Sequence, residues 1–417
     1  DRARQPGAAG QGEAADAVNR SRHLRKQGRR HRGRALLPSL LLLPLLLVAC
    51  TGTREDRLPT LLVVGGATSG GGELRLLEDV FDPTGTPART LLPVPDSTQT
   101  LPAPPVSLAV VDPLGARSEL VVLSVGGGTS ELRFFDISGV DPETGVGFEE
   151  SRDAIDLAGL LTAAGRGAEA ACLSQVSVTG GTGGETLWAA LFDDGSCGNE
   201  FAEVFLVDVD GRTLEEAPLL ADLAGAGIWA DDSSDRLYFA RDDIGATAVE
   251  FLPLPEGDRT RLGSADLSDL DLRDLAPVAG GIALLENGEL AVVPLQGDPA
   301  DDEPAPAVST ITDGNFLLPD PYGVLGELVV VGNDRVAVHL DHEDGDPFHI
   351  TNVSDVVAAT MDPLNRFAYL LSERGVYILD MIRREDDPQP YGSFLVELEA
   401  QAEPLTIEWI FARQALP

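Results

Sequence analysis

Seven pairs of short apolar runs constrain this 417-residue chain more than any other feature. The first members are Leu61–Val64, Leu120–Leu123, Leu187–Leu191, Leu237–Ala240, Ile282–Leu285, Leu328–Val331 and Ala368–Leu371. Their starts lie 59, 67, 50, 45, 46 and 40 residues apart. A turn then separates each from its partner: Leu74–Leu77, Leu132–Phe135, Val204–Val207, Val249–Leu252, Leu290–Val293, Val336–Leu340 and Val376–Leu379. Runs of this length are too short for helices, and Gly, Asp and Pro bound them as they bound strands. The chain is therefore expected to be all-β.

Some copies echo one another. Val63-Val64-Gly65-Gly66 leads to Glu73-Leu74-Arg75, and Val125-Gly126-Gly127-Gly128 leads to Glu131-Leu132-Arg133. Asp112-Pro113 with Arg117, Asp231 with Arg236, and Asp362-Pro363 with Arg366 each precede a first run, where Asp and Pro set a turn. One small sheet cannot hide both faces, so repeats of this length stack around an axis and leave few exposed edges. Met361-Asp362-Pro363, Ala368-Tyr369-Leu370-Leu371 and Val376–Asp380 together resemble a blade of secreted β-propeller proteins, a likeness that spans roughly residues 60–412. It implies a single β-propeller of seven antiparallel blades, with six or eight blades open and a pair of β-sandwiches as the alternative. There is no Trp-Asp repeat, so the WD40 pattern is absent. Leu405–Phe411 is expected to pair into the first blade and lock the ring. Residues 78–106, with seven prolines, read as an extended loop. Residues 149–170, with Ile155, Leu157, Leu160 and Leu161 near helical spacing, predict a short helix, and 298–306 an exposed loop.

Ahead of this body, seven cationic residues from Arg22 to Arg34 precede an apolar run, Ala35 to Ala49, that ends at Cys50. Ten of the residues from Leu36 to Val48 are Leu or Val. The run is short for a membrane span, and Pro38 and Pro44 would disturb a helix there. Charge, a short apolar stretch and a small residue before the cut make a secretory signal. Leu47-Val48-Ala49-Cys50 resembles the lipobox of bacterial lipoproteins. That resemblance implies cleavage before Cys50, acylation of its thiol, and anchoring of the body to a lipid bilayer at the cell envelope. Thr51 follows where an Asp would favour inner-membrane retention, so the outer membrane or cell surface is allowed. Residues 1–49 are then an N-terminal extension and signal, 50–59 a tether, 60–412 the propeller and 413–417 a tail.

The chain has 30 Lys and Arg against 68 Asp and Glu. Ten basic and three acidic residues precede Cys50, so the remainder holds 20 basic and 65 acidic residues, a net charge near −45. Such a surface repels phosphates and excludes nucleic acid as a partner. It also repels anionic headgroups, so the acyl chain rather than charge must do the tethering. With Cys50 acylated, Cys172 and Cys197 remain, and an oxidising envelope lets them pair.

Motifs for catalysis are missing. No Gly-x-Ser-x-Gly elbow and no His-Glu-x-x-His occurs, and the Gly65–Gly72 run lacks the Lys and Ser or Thr of a P-loop. Beyond Cys50 the only histidines are His339, His342 and His349, with Asp341, Glu343, Asp344 and Asp346 among them. Imidazoles and carboxylates together suit zinc, so His339, His342, Asp341 and Asp344 are the metal candidates, against a solvated hairpin tip. Asp208-Val209-Asp210-Gly211, Asp193-Asp194-Gly195 and Asp231-Asp232 offer hard oxygens for calcium, against ordinary Asp-Gly turns. Trp188 and Trp229 read as core. The expected function is an envelope lipoprotein whose propeller binds a protein, peptide or glycan without catalysis. The alternative is a metal-dependent propeller hydrolase of lactonase type.

Overall fold

A computed structural model describes residues 60–411, except 82–88, 112–118, 142–143, 180–185, 198–201, 216–217, 224, 226, 232–234, 244–245, 256, 268–271, 279, 296–303, 319–326, 341–345, 363–365, 383–390 and 399–402. The expected signal region, Cys50, the expected tether and the tail lie outside the described residues, as do Asp341, His342, Asp344 and most of 298–306. Among the described residues no helix is long and apolar enough to cross a membrane.

Seven antiparallel sheets form a ring, a seven-bladed β-propeller. In the second blade the strands run in chain order from the axis outward: Pro105–Val111, Glu119–Gly126, Thr129–Asp136 and Glu149–Asp156. The third blade begins at Leu173–Thr179, the fourth at Ile228–Asp231, the fifth at Asp274–Val278, the sixth at Gly314–Leu317 and the seventh at Val356–Asp362. In the first blade the innermost strand is the last in the chain, Glu403–Phe411, which pairs antiparallel with Thr60–Thr68. The carboxyl-terminal run thus closes the ring, as its apolar pattern predicts.

Every first run of the sequence is the second strand of a blade, and every partner run is the third. These middle strands are sandwiched between neighbouring blades, so both of their faces are dry. Leu61, Leu120, Leu237, Ile282, Val330 and Leu370 are all 0% exposed. Burying apolar area of this kind contributes roughly 25 cal/mol per Å², which is why the middle strands read as continuous apolar runs. The Glu-Leu-Arg echo follows from strand alternation. Leu74 and Leu132 point into the core, while Glu73 pairs with Arg75 at 3.1 Å and Glu131 pairs with Arg133 on the opposite face. The turn between Gly126 and Thr129 places Gly127 and Gly128 at φ 60° and 85°, the double left-handed turn that fits a strand hairpin.

Two expectations change. Residues 78–106 are not one loop. Gly71–Phe81 extends into the stretch, and Arg89–Pro93 and Gln99–Leu101 form a broken outer strand. Pro93 and Pro95 fall at the break, where a residue without an N–H does no harm, and Ser97 there accepts the Leu76 N–H at 3.2 Å. Residues 149–170 hold an outer strand, Glu149–Asp156, before the helix Leu157–Ala163. Asp156 caps that helix through the Gly159 N–H, and Leu157 and Leu161 bury its apolar face.

Candidate functional site

Innermost strands of neighbouring blades do not pair, so their backbone groups need other partners. Polar side chains supply them. Ser107 accepts the Val176 N–H at 3.1 Å, and Ser177 accepts that of Ala230 at 2.7 Å. The Gln175 amide exchanges two bonds with Ile228. Asp274 accepts the Leu317 N–H at 2.6 Å, and Thr360 that of Trp409 at 3.2 Å. These polar residues therefore join the second blade to the third, the third to the fourth, the fifth to the sixth and the seventh to the first.

Two inner carboxyls are perturbed. Burial pushes Glu408 up to about 7, against the hydrogen bonds it accepts from Thr360 Oγ1 and Trp409 N, both at 3.1 Å. Burial likewise pushes Asp274 up to about 6, against its bonds from Leu317 and Leu275.

A groove of about 380 Å³ opens between the second and third blades. Glu119, Ser151, Arg152 and Asp153 line it from the second blade, and Val209, Asp210 and Arg212 from the turn after Ala202–Asp208 in the third. Arg152 is its pivot. It donates to both oxygens of Glu119, at 3.2 and 2.6 Å, and to Asp210 at 3.0 Å, with its guanidinium carbon 5.1 Å from the Phe134 ring centre. Ser151 donates to Glu119 at 2.7 Å. Arg212 sits in the left-handed region at φ 55° and donates to the carbonyls of Asp153 and Ala154. Asp210 also accepts the Leu187 N–H at 3.2 Å. The result is a fixed set of planar donors and acceptors. The carboxylate of Asp153 is exposed and has no partner among the described residues.

The sequence candidates fall elsewhere. His339 ends the third strand of the sixth blade, apart from the groove, with Nε2 3.0 Å from Thr310 Oγ1. Its proposed companions Asp341, His342 and Asp344 are outside the described residues. Among the described residues no three His, Cys, Asp or Glu side chains come together to hold an ion. Asp208 and Asp193 accept the N–H of Gly211 and Gly195 at 2.7 and 2.9 Å, so both Asp-Gly sequences are turns. Trp229 stacks on Tyr238 with ring centres 5.0 Å apart, and Trp188 packs on the core between the third and fourth blades. Cys172 and Cys197 are joined in a disulfide with Cα atoms 5.7 Å apart, and the Cys197 residue lies beside the short helical turn Glu169–Ala171. Nothing in the sequence pattern points to the groove; the only stretch of its lining that stands out there is the Asp208-Val209-Asp210-Gly211 turn.

Comparison with known proteins gives a fold and no family. No protein-family model matches the sequence, and no curated protein matches it. Among solved structures, a Bacteroides uniformis protein proposed to be a 6-phosphogluconolactonase is 14% identical, with a TM-score of 0.54 over 85% of this chain and 100% of its own. A Bacteroides fragilis protein proposed to have the same activity is 13% identical, with a TM-score of 0.52 over 86% of this chain and 99% of its own. At such identity the likeness is one of fold.

Proposed function

We propose that the chain is a lipid-anchored propeller of the bacterial cell envelope, tethered through Cys50, that binds a protein, peptide or glycan without catalysing a reaction. The groove between the second and third blades carries this reading. Arg152 is already paired with Glu119 and Asp210, and the groove's donors and acceptors are held in place before any ligand arrives, which lowers the ordering cost of binding. A ligand rich in hydroxyls or amides suits such a surface, with Asp153 as the free acceptor. Recognition on the rim of a rigid ring is also where loops usually carry function. The test is a photo-crosslinking residue placed at Asp153 in cells, with Leu92, exposed on the first blade, as the control. A discrete adduct at position 153 alone is expected. Equal labelling at both positions, or none, defeats the reading. The tether has its own test: a Cys50→Ser variant should take up no palmitate.

A lactonase-type hydrolase is the second reading, and one observation favours it. Glu408, on an innermost strand, has a carboxyl held near 7, where proton transfer at neutral pH is most effective. The activity proposed for the two Bacteroides proteins points the same way. Lactone hydrolysis by the purified chain that is lost in Glu408→Gln would support this reading over the first.

A further inference from the structure

The sixth blade carries a pair of histidines whose placement serves neither reading above. His339 closes the strand Val336–His339, and His349 lies in the neighbouring strand Phe348–Ile350. The register sets Ala337 opposite His349. His339 is two residues beyond Ala337, so both imidazoles occupy the same face of the sheet, one diagonal step apart. Diagonal neighbours of this kind have Cβ atoms within about 7 Å of each other, close enough for two rings to reach a common ion.

The surroundings of His339 are those of a ligand. The residue is 2% exposed. Its Nε2 meets Thr310 Oγ1 at 3.0 Å, while its Nδ1 is buried with no partner among the described residues. A buried polar atom left bare is costly. If Nε2–H donates to the Thr310 hydroxyl, the tautomer is fixed and a lone pair stands on Nδ1, the arrangement by which a second partner prepares a metal-binding imidazole.

We propose that His339, through Nδ1, and His349 form a two-imidazole site for a late first-row divalent ion of the zinc or copper class, with Thr310 as positioning residue. Imidazole pairs select these ions over calcium or magnesium, which prefer oxygen. The bound ion ties the outer strand of the sixth blade to its third strand, next to the junction with the fifth blade.

The test is calorimetric titration of the purified chain with Zn²⁺, with Ca²⁺ as the competing ion, in three proteins. Wild type should take up one Zn²⁺ that excess Ca²⁺ does not displace. His349→Ala, at an exposed position that leaves folding untouched, should abolish that uptake. Thr310→Val should weaken it by about 10–100-fold, as loss of a ligand's outer partner does. The melting temperature of wild type, and not of His349→Ala, should rise with added Zn²⁺. Absence of uptake by wild type overturns the proposal. So does Zn²⁺ binding by His349→Ala as tight as wild type, which would assign the ion to the carboxylates of this acidic surface.

Discussion

Removing one guanidinium at the ring closure should destabilise the whole propeller, and the reason lies in a buried network between the first and seventh blades. Arg89, on the first blade's outer strand, donates to Asp79 from Nε at 2.9 and 3.0 Å and from Nη2 at 2.5 Å. The Asp79 side chain is 0% exposed. It also accepts from the Tyr369 hydroxyl of the seventh blade at 2.7 Å, and Arg89 lies 3.9 Å over the Phe367 ring beside it. Arg89→Met keeps the apolar stem but leaves the carboxylate with one neutral partner. Breaking a buried pair in this way costs about 3–5 kcal/mol. Unfolding the propeller region 60–411, roughly 350 residues, releases about 0.7 kcal/mol per degree at roughly 2 cal/mol/K each, so the melting temperature should fall by about 4–7 °C. Differential scanning calorimetry at pH 7 reads the shift. The companion is a triple variant, Asp79→Leu, Arg89→Met and Tyr369→Phe, which removes every orphaned polar group and should recover most of the loss, since well-packed apolar replacements of buried pairs are often neutral or better. A shift below 1 °C in Arg89→Met refutes the reasoning. A triple variant as unstable as the single one refutes it too, because the damage would then come from lost packing and not from a stranded charge.

Other consequences follow from the same packing. Glu408 is held in the fold near 7 against an ordinary value of 4.5, so the native state keeps a proton that the unfolded chain gives up. Its contribution to stability therefore declines as pH rises from about 4.5 to about 7 and is flat above that. Glu408→Gln should show a melting-temperature advantage over wild type that grows between pH 5 and pH 8; an advantage independent of pH would contradict the burial argument. Replacing both Cys172 and Cys197 with Ser opens a 25-residue loop, worth about 3.5 kcal/mol on the chain-entropy model. Denaturant titration of the variant, and of wild type with and without reductant, should show that loss. Deleting residues 403–417 removes the innermost strand of the first blade and should lower the melting temperature by many degrees, read by circular dichroism; no change would mean that the ring does not depend on this closure.

How much of this fold is legible in the sequence depends on how wet each strand is. The second and third strands of every blade stand out as unbroken apolar runs because neighbouring blades cover both of their faces. The innermost strands carry Ser107, Gln175, Asp274 and Thr360, which look like loop residues until their bonds to the next blade are known. The outer strands are interrupted. Pro93 and Pro95 lie at the break in the first blade, and Pro218 lies between the two short outer segments of the third, Thr213–Leu214 and Leu220–Leu223. Proline content there reports a broken edge strand, an expected place for it, although in sequence alone it reads as a loop.

The groove is a harder case, because it is made of distance in sequence. Arg152 and Asp210 are separated by 58 positions and Arg152 and Glu119 by 33, yet the ring brings all three together. No local pattern encodes that meeting. What the sequence carries is an arginine shortage: 20 basic against 65 acidic groups from Cys50 onward. In so acidic a chain an arginine that faces a groove is drawn to several carboxylates at once, as Arg152 is, and Arg166 repeats the pattern by pairing with Glu169 and Glu203 near the disulfide. These two arginines thus become junctions between elements. Carboxylates in surplus, Asp153 among them, are left exposed, and on the proposed binding role a ligand would bring donors rather than another negative charge.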